Sequence, residues 1–181
     1  MASEEKKLAP SEAPGPDEQI IDAFDEDEEN LSKDNKYLTF GIGEETYGIS
    51  LLEVVEIIRL MQITPIPQAH SFIKGIINLR GKIIPIMDVR LRFGLEHKDY
   101  EERTCIIVVS VEDRLMGLVV DHVSEVLEIP DEKIETISVA SASGSQRFVR
   151  GIGKMETGVK IILNTKELIV NFEEGTEKQA A

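Results

Sequence analysis

Hydrophobic and polar side chains alternate along most of the chain after residue 36. The segments Tyr37–Ile42 and Thr46–Ile49 alternate with a period of two around a turn-like stretch at Gly43–Glu45. A period of two places successive side chains on opposite faces of a strand, so this region predicts a β-hairpin. The same reasoning predicts a second hairpin over residues 104–120, where a β-branched run is followed by Glu112–Arg114.

The region between these hairpins predicts further short elements. The apolar spacing of Leu51–Ile58 predicts about two turns of helix. Ile63–Pro67 predicts an extended segment outside any central strand, because its two prolines lack the N–H that a sheet ladder requires. Ile76–Ile86 predicts two strands joined by a tight connection at Arg80 and Gly81. Many short strands and few helices favour an all-β barrel or sandwich over a parallel α/β sheet.

The chain contains an internal repeat, with offsets of 69 and 76 residues between matching segments. The matched segments are Tyr47–Ile49 with Met116–Leu118, Phe72–Ile76 with Phe148–Ile152 and, after one inserted residue, Gly81 with Gly158. This period is longer than that of common solenoid repeats and suits two copies of a small barrel. Since each half alone would have a marginal core, we expect the two halves to pack on one another.

The charge of the chain is concentrated at its N-terminal end. The formal net charge is −14, and the first 36 residues contribute twelve acidic and four basic side chains. Residues 1–35 are predicted to be a disordered acidic tail, and residues 172–181 a disordered end. The apolar cluster at Ile20, Ile21 and Phe24 is read as a chance feature of this tail, with a docking helix for a partner as the alternative. The acidity disfavours binding to nucleic acid or to anionic membrane surfaces.

Residue patterns for catalysis are weak in this sequence. The three histidines are scattered, none lies at metal-ligand spacing from another or from Cys105, and no nucleophile motif is present. Abundant carboxylates alone are poor evidence for an acid–base pair. We therefore expect no catalytic, metal or cofactor-binding site. The single cysteine fits a reducing compartment, and no apolar run is long enough to cross a bilayer.

Binding is the better interpretation of the remaining features. Arg80 follows an apolar strand and is expected to be exposed or paired, with Glu56 as the partner, because arginine fits a carboxylate with two hydrogen bonds. An ordinary ion pair that only stabilises the turn is the alternative. Gly75 and Gly81 are expected to supply backbone conformations or a close approach that a Cβ would block.

Several of these segments closely resemble the CheW family of bacterial chemotaxis coupling proteins. The resemblance covers about residues 37–171 and is most specific in the run from Phe72 to Ile86, which contains Asn-Leu-Arg-Gly before an apolar-Pro-apolar strand. It implies an all-β fold with a few short helices, made of two packed SH3-like five-stranded β-barrels. The domain would span residues 36–171, with one barrel at about 36–103, the other at about 104–171, and strands that can interlink.

The resemblance also implies a function without chemistry. Members of the family are cytoplasmic adaptors that join the regulatory domain of the histidine kinase CheA to the cytoplasmic tips of chemoreceptors, the methyl-accepting chemotaxis proteins. The receptor hairpin is expected to lie in the groove between the barrels. The residues that match the family's partner-binding region are Val54, Glu56, Ile57, Ile58, Lys74, Gly75, Asn78 and Arg80.

Three alternatives stay open at this point. The same module begins CheV-type proteins, which add a receiver domain, and too few residues follow the second barrel here for such a domain. The module also occurs in the kinase itself, but no phosphotransfer segment precedes it. The third alternative is a small enzyme that uses scattered carboxylates.

Overall fold

The computed structural model of the chain describes residues 33–138 and 144–170. Most of the predicted N-terminal tail, the cluster at Ile20–Phe24 and the predicted disordered end lie outside these ranges. The strands are β1 (Lys36–Ile42), β2 (Glu45–Ser50), β3 (Val54–Arg59), β4 (Ile73–Leu79), β5 (Lys82–Asp88), β6 (Cys105–Val111), β7 (Arg114–Val120), β8 (His122–Glu128), β9 (Ile134–Thr136), β10 (Val149–Met155) and β11 (Gly158–Leu163). The helices are α1 (Val89–Arg92), α2 (Thr165–Val170) and two 3-10 turns at Asp131–Lys133 and Gly144–Phe148.

These strands form two sheets, which confirms the expected all-β class. The five-stranded sheet has the order β3-β6-β7-β5-β4, and the six-stranded sheet has the order β8-β1-β2-β11-β10-β9. The short strand β9 makes the second sheet one strand larger than expected. Each sheet covers its own apolar cluster, built around Ile77, Ile86 and Ile106 in one and around Tyr37 and Ile162 in the other. The two sheets correspond to the two SH3-like barrels.

The strand pairing confirms the internal repeat. The parallel pair of Ile86 with Gly117 in the five-stranded sheet is matched by the pair of Ile162 with Gly48 in the other. The bulges also match, since the β4–β5 ladder shifts register between Ile73 and Gly75 and the β10–β11 ladder shifts between Val149 and Gly151. The offset of 76 residues holds through both ladders, so that Lys82, and not Gly81, is equivalent to Gly158. The prediction of one inserted residue before this point is therefore wrong.

The chain is not divided between the sheets at residues 103 and 104. The five-stranded sheet uses the continuous stretch 54–120, whereas the six-stranded sheet combines β1 and β2 with β8 to β11. The five-stranded sheet therefore combines the last three strands of the first repeat with the first hairpin of the second. The six-stranded sheet combines the first hairpin of the first repeat with the last four strands of the second. The strands interlink because β3 pairs with β6 instead of returning to β1.

One secondary-structure prediction is wrong. The segment predicted as a short helix forms a turn at residues 51–53 followed by strand β3. The run Val54–Ile58 is rich in β-branched side chains, which fit a pleated surface better than a helix. Pairing with β6, for example of Ile57 with Ile107, outweighs the helical spacing of the apolar residues.

Candidate partner-binding surface

Glu56 and Arg80 form the ion pair that the sequence predicted, and the pair joins one edge of the five-stranded sheet to the other. Strands β3 and β4 are the two edges of the five-stranded sheet. Glu56 lies on β3, and Arg80 lies in the turn after β4, where its Nη2 donates a hydrogen bond to Glu56 Oε1. The pair therefore links the two edges of this sheet. Glu56 occupies a strand and not the short helix on which it was expected.

Arg80 is held at the tip of the β4–β5 hairpin in an unusual backbone conformation. Its φ is 50° and that of Gly81 is 83°, and two successive positive φ values are the mark of a type I′ turn. Asn78 Oδ1 accepts a hydrogen bond of 2.9 Å from the Gly81 N–H and supports the turn. Asparagine, aspartate or glycine normally precedes the glycine of such a turn. Arginine breaks this local rule, and its side chain remains 70% exposed.

Gly75 occupies a buried place under the loop that leads from β3 to β4. Its φ is +142°, and a Cβ there would lie 2.0 Å from the carbonyl oxygen of Thr64. Thr64 and Ile76 exchange two backbone hydrogen bonds of 2.9 Å, which pair the loop with the outer edge of β4. Gly75 therefore acts on the surface indirectly, by letting this loop approach the strand.

An apolar groove with a volume of about 430 Å³ lies beside this loop. Its walls are formed by Leu60, Met61, Ile63, Pro65, Ser71, Ile73, Lys74 and Tyr100. The Lys74 Nζ lies 6.0 Å from the centre of the Tyr100 ring, within the range of a cation–π contact. The groove thus offers mostly apolar walls and one ammonium group.

Tyr100 is a functional candidate that the sequence reading missed. Its hydroxyl donates a hydrogen bond of 2.9 Å to Asp88 Oδ2. Burial raises the pKa of the Tyr100 hydroxyl, and the neighbouring Asp88 carboxylate raises it further, so the hydroxyl stays protonated as a donor. A lone aromatic residue in the polar stretch 94–104 was the available signal.

The structure separates the predicted site residues into groups. Asn78 and Arg80 are exposed, and Glu56 and Lys74 are half-buried with their charged groups paired or placed over a ring. Val54, Ile57 and Ile58 are half-buried on β3, and Ile58 packs against the core of the five-stranded sheet. Glu56 and Arg80 pair with each other, Asn78 supports the turn that carries Arg80, and Lys74 lines the groove.

A second ion pair joins helix α1 to the turn between β7 and β8. Arg90 Nη2 donates a hydrogen bond of 2.6 Å to Asp121 Oδ2, which also accepts one of 2.8 Å from the Gly43 N–H. Burial raises the pKa of Asp121, but the hydrogen bonds and the charge of Arg90 lower it more, so the net pKa lies below its ordinary value. This group ties elements of the two sheets together.

The described residues hold no group of three or more His, Cys, Asp or Glu side chains arranged for a metal ion. Within the same ranges, no helix has the length and apolar character needed to cross a membrane.

Comparison with known proteins gives a consistent result. Residues 36–173 match the family model described as the CheW-like domain. The chain is 36% identical over 138 residues to the chemotaxis protein CheW of Klebsiella aerogenes, covering 76% of this chain and 83% of that protein. It is 32% identical over 148 residues to the probable chemotaxis protein CheW of Rhizobium etli, covering 82% and 93%. The crystal structure of the scaffolding protein TtCheW from Thermoanaerobacter tengcongensis is similar with a TM-score of 0.67 and 38% identity, covering 72% of this chain and 88% of that chain.

Proposed function

The chain belongs to the CheW-like domain family, and from this premise we propose that it is a chemotaxis adaptor that couples chemoreceptors to the histidine kinase CheA. Proteins of this family are non-catalytic adaptors, so its function lies in binding and not in an enzymatic reaction. In this role the protein works in the cytoplasm, at the receptor tips.

The observation that carries the proposal is the exposed guanidinium of Arg80. An ion pair this exposed contributes only about 0–1 kcal/mol to stability. A non-glycine residue in the left-handed region costs roughly 1–2 kcal/mol. The fold thus gains little or nothing from arginine at this position. A partner contact at the sheet edge would explain why the hairpin presents it.

The neighbouring groove suits a second type of contact. Its aliphatic walls fit an apolar side chain of a partner, and Lys74 fits a carboxylate beside it. We assign this groove and the predicted residues Val54, Glu56, Ile57, Ile58, Lys74, Gly75, Asn78 and Arg80 to contacts with the kinase regulatory domain and the receptor tip. Gly75 and Ile58 contribute through the fold, for the packing reasons given above.

The adaptor transmits a signal by thermodynamic linkage. If the receptor binds the adaptor differently when the kinase is active, the adaptor carries a coupling free energy, typically about 1–3 kcal/mol between two sites. Individual contacts in such signalling assemblies are often weak, and assembly into arrays adds avidity.

The test is co-sedimentation of the protein with a cognate CheA-type kinase and receptor cytoplasmic fragments, followed by receptor-dependent kinase activity. Arg80→Gly is the sharpest variant, because glycine keeps the positive φ of the turn and removes only the side chain. We expect reduced co-sedimentation or reduced kinase activation at matched folded content. Lys154→Ala is the control, since Lys154 forms an exposed ion pair of 2.6 Å with Glu135 in the other sheet, outside the assigned residues.

Wild-type protein that binds neither kinase nor receptor would reject the adaptor role. Normal binding and activation by Arg80→Gly would reject only the role of Arg80.

A further inference from the structure

The contact region between the two sheets repeats itself around one point. Phe72 and Phe148 occupy equivalent positions, 76 residues apart, immediately before β4 and before β10. The Asp88 N–H donates to the Phe72 carbonyl at 2.8 Å, and the Asn164 N–H donates to the Phe148 carbonyl at 2.7 Å. The side chains of Asp88 and Asn164 then accept equivalent hydrogen bonds of 3.2 Å from the first turns of α1 and α2.

Arg92 departs from this symmetry. Arg92 at the end of α1 is equivalent by the same offset to Leu168 in α2. Its side chain enters the contact region, where its guanidinium carbon lies 4.5 Å from the ring centre of Phe72 and 4.7 Å from that of Phe148. Its Nε donates a hydrogen bond of 3.2 Å to the Leu168 carbonyl. One side chain thus contacts equivalent elements of both sheets.

Arg92 is an expensive choice for this place. It is only 8% exposed, and its Nη2 has no hydrogen-bond partner. Burial, and then the charge of Arg147, lower the pKa of Arg92 to about 10, which still leaves it protonated at neutral pH. Among the described residues, no carboxylate forms an ion pair with it. Apolar side chains of similar volume commonly replace buried charges without loss of stability.

A guanidinium differs from an aliphatic side chain in having a plane. Two aromatic rings can cover its faces while its edge donates hydrogen bonds in fixed directions. An aliphatic side chain fills the same volume without a preferred plane, and a lysine ammonium is a compact charge. The arrangement therefore constrains direction as well as distance between the elements that hold it.

We propose that Arg92 is a positioning residue that fixes the orientation of the five-stranded sheet relative to the six-stranded sheet. It sets the geometry in which the protein presents surfaces on the two sheets, without contact to any partner. The inference goes beyond the adaptor role, because the orientation is a property of the free protein.

The experiment measures residual dipolar couplings of backbone amides in the full chain, with alignment tensors fitted separately to the two sheets. In the wild type the two tensors should coincide. In Arg92→Met they should differ in magnitude or direction, because the sheets reorient relative to one another. The unfolding free energy of Arg92→Met should be equal to or higher than that of the wild type, which separates positioning from a purely stabilising role.

Two further variants sharpen the test. Arg92→Lys should behave like Arg92→Met, because the ammonium has no plane. Arg147→Gln is the matched control, since the Arg147 guanidinium also lies 4.7 Å from the Phe148 ring centre but belongs to an exposed residue, and it should keep wild-type tensors. If Arg92→Met fails to fold, Phe72→Leu removes one face of the contact and should separate the tensors. Coincident tensors in Arg92→Met or Arg92→Lys, or in Phe72→Leu where Arg92→Met does not fold, would overturn the proposal, whether or not a partner binds.

Discussion

Replacing Gly75 by alanine tests how the loop between β3 and β4 is held. The added Cβ would lie 2.0 Å from the Thr64 carbonyl oxygen and 2.6 Å from its carbonyl carbon. Both neighbours are backbone atoms, so no side-chain rotation can relieve the overlap. The loop must move away from β4, and the two hydrogen bonds between Thr64 and Ile76 are lost or lengthened.

The expected cost follows from these contacts. Two hydrogen bonds contribute about 1 kcal/mol each. Alanine at a φ of +142° adds roughly 1–3 kcal/mol of backbone strain. We expect Gly75→Ala to lower the free energy of unfolding by about 3–5 kcal/mol, a large part of the ~5–15 kcal/mol typical of a domain. Gly81→Ala is the control, because Gly81 has a φ of +83° but no atom within 4 Å of the added Cβ. It should cost only about 1–2 kcal/mol.

Urea unfolding with linear extrapolation, followed by circular dichroism, measures both variants. Equal losses for Gly75→Ala and Gly81→Ala would refute the reasoning, because the overlap with Thr64 would then have no effect. The result also matters for binding studies. A loss of partner affinity in Gly75→Ala is expected to follow displacement of the loop and the groove, and not loss of a direct contact.

Three further predictions concern side-chain interactions. A double-mutant cycle on Glu56 and Arg80 should give a coupling energy of only about 0.2–1 kcal/mol, and a value well above this would contradict an exposed pair. Tyr100→Phe should lower the free energy of unfolding by about 1.5–3 kcal/mol, because the buried Asp88 loses a hydrogen bond to its charged group; unchanged urea unfolding would argue against that bond. The net pKa of Asp121 lies below its ordinary value of 3.8, so its stabilisation is present above pH 3.8 and is lost as the pH falls through the lower, folded-state pKa. Asp121→Asn should therefore flatten the acid side of the stability–pH curve, and an equally steep curve would exclude this carboxylate as a cause.

The features that could be predicted from the sequence are local or chemically distinctive. The β1–β2 hairpin follows from alternation over a few residues around Gly43. The pairing of Arg80 with Glu56, 24 residues away, was predictable because a cation at the end of an apolar strand favours a carboxylate partner and Glu56 lies on a preceding apolar segment. The prediction of a helix at Leu51–Ile58 was wrong because it used only the spacing of the apolar residues and ignored the preference of valine and isoleucine for strands.

The features that escaped prediction depend on partners distant in the sequence. A repeat shows which strands are equivalent, but not whether β3 pairs within its own repeat or with the other one. The close approach of Thr64 to Gly75 arises only when the loop folds back on β4. Arg92 reads as a surface cation in a short helix, and only its alignment with Leu168 in the repeat marks it as unusual.

The interlinked strand order has a consequence for how the protein is made. As the chain leaves the ribosome, the first hairpin appears before any of its other sheet partners, and β8 to β11 emerge last. The segment from Val54 to Val120 is complete earlier and has all the strands of one sheet. Synthesis therefore favours early formation of the five-stranded sheet. The six-stranded sheet forms later, because it pairs strands that lie far apart in the sequence, and such long-range pairing delays folding. Nascent chains stalled once Val120 has cleared the ribosomal exit tunnel should accordingly protect the amides of β6 and β7 from hydrogen exchange while those of β2 still exchange freely.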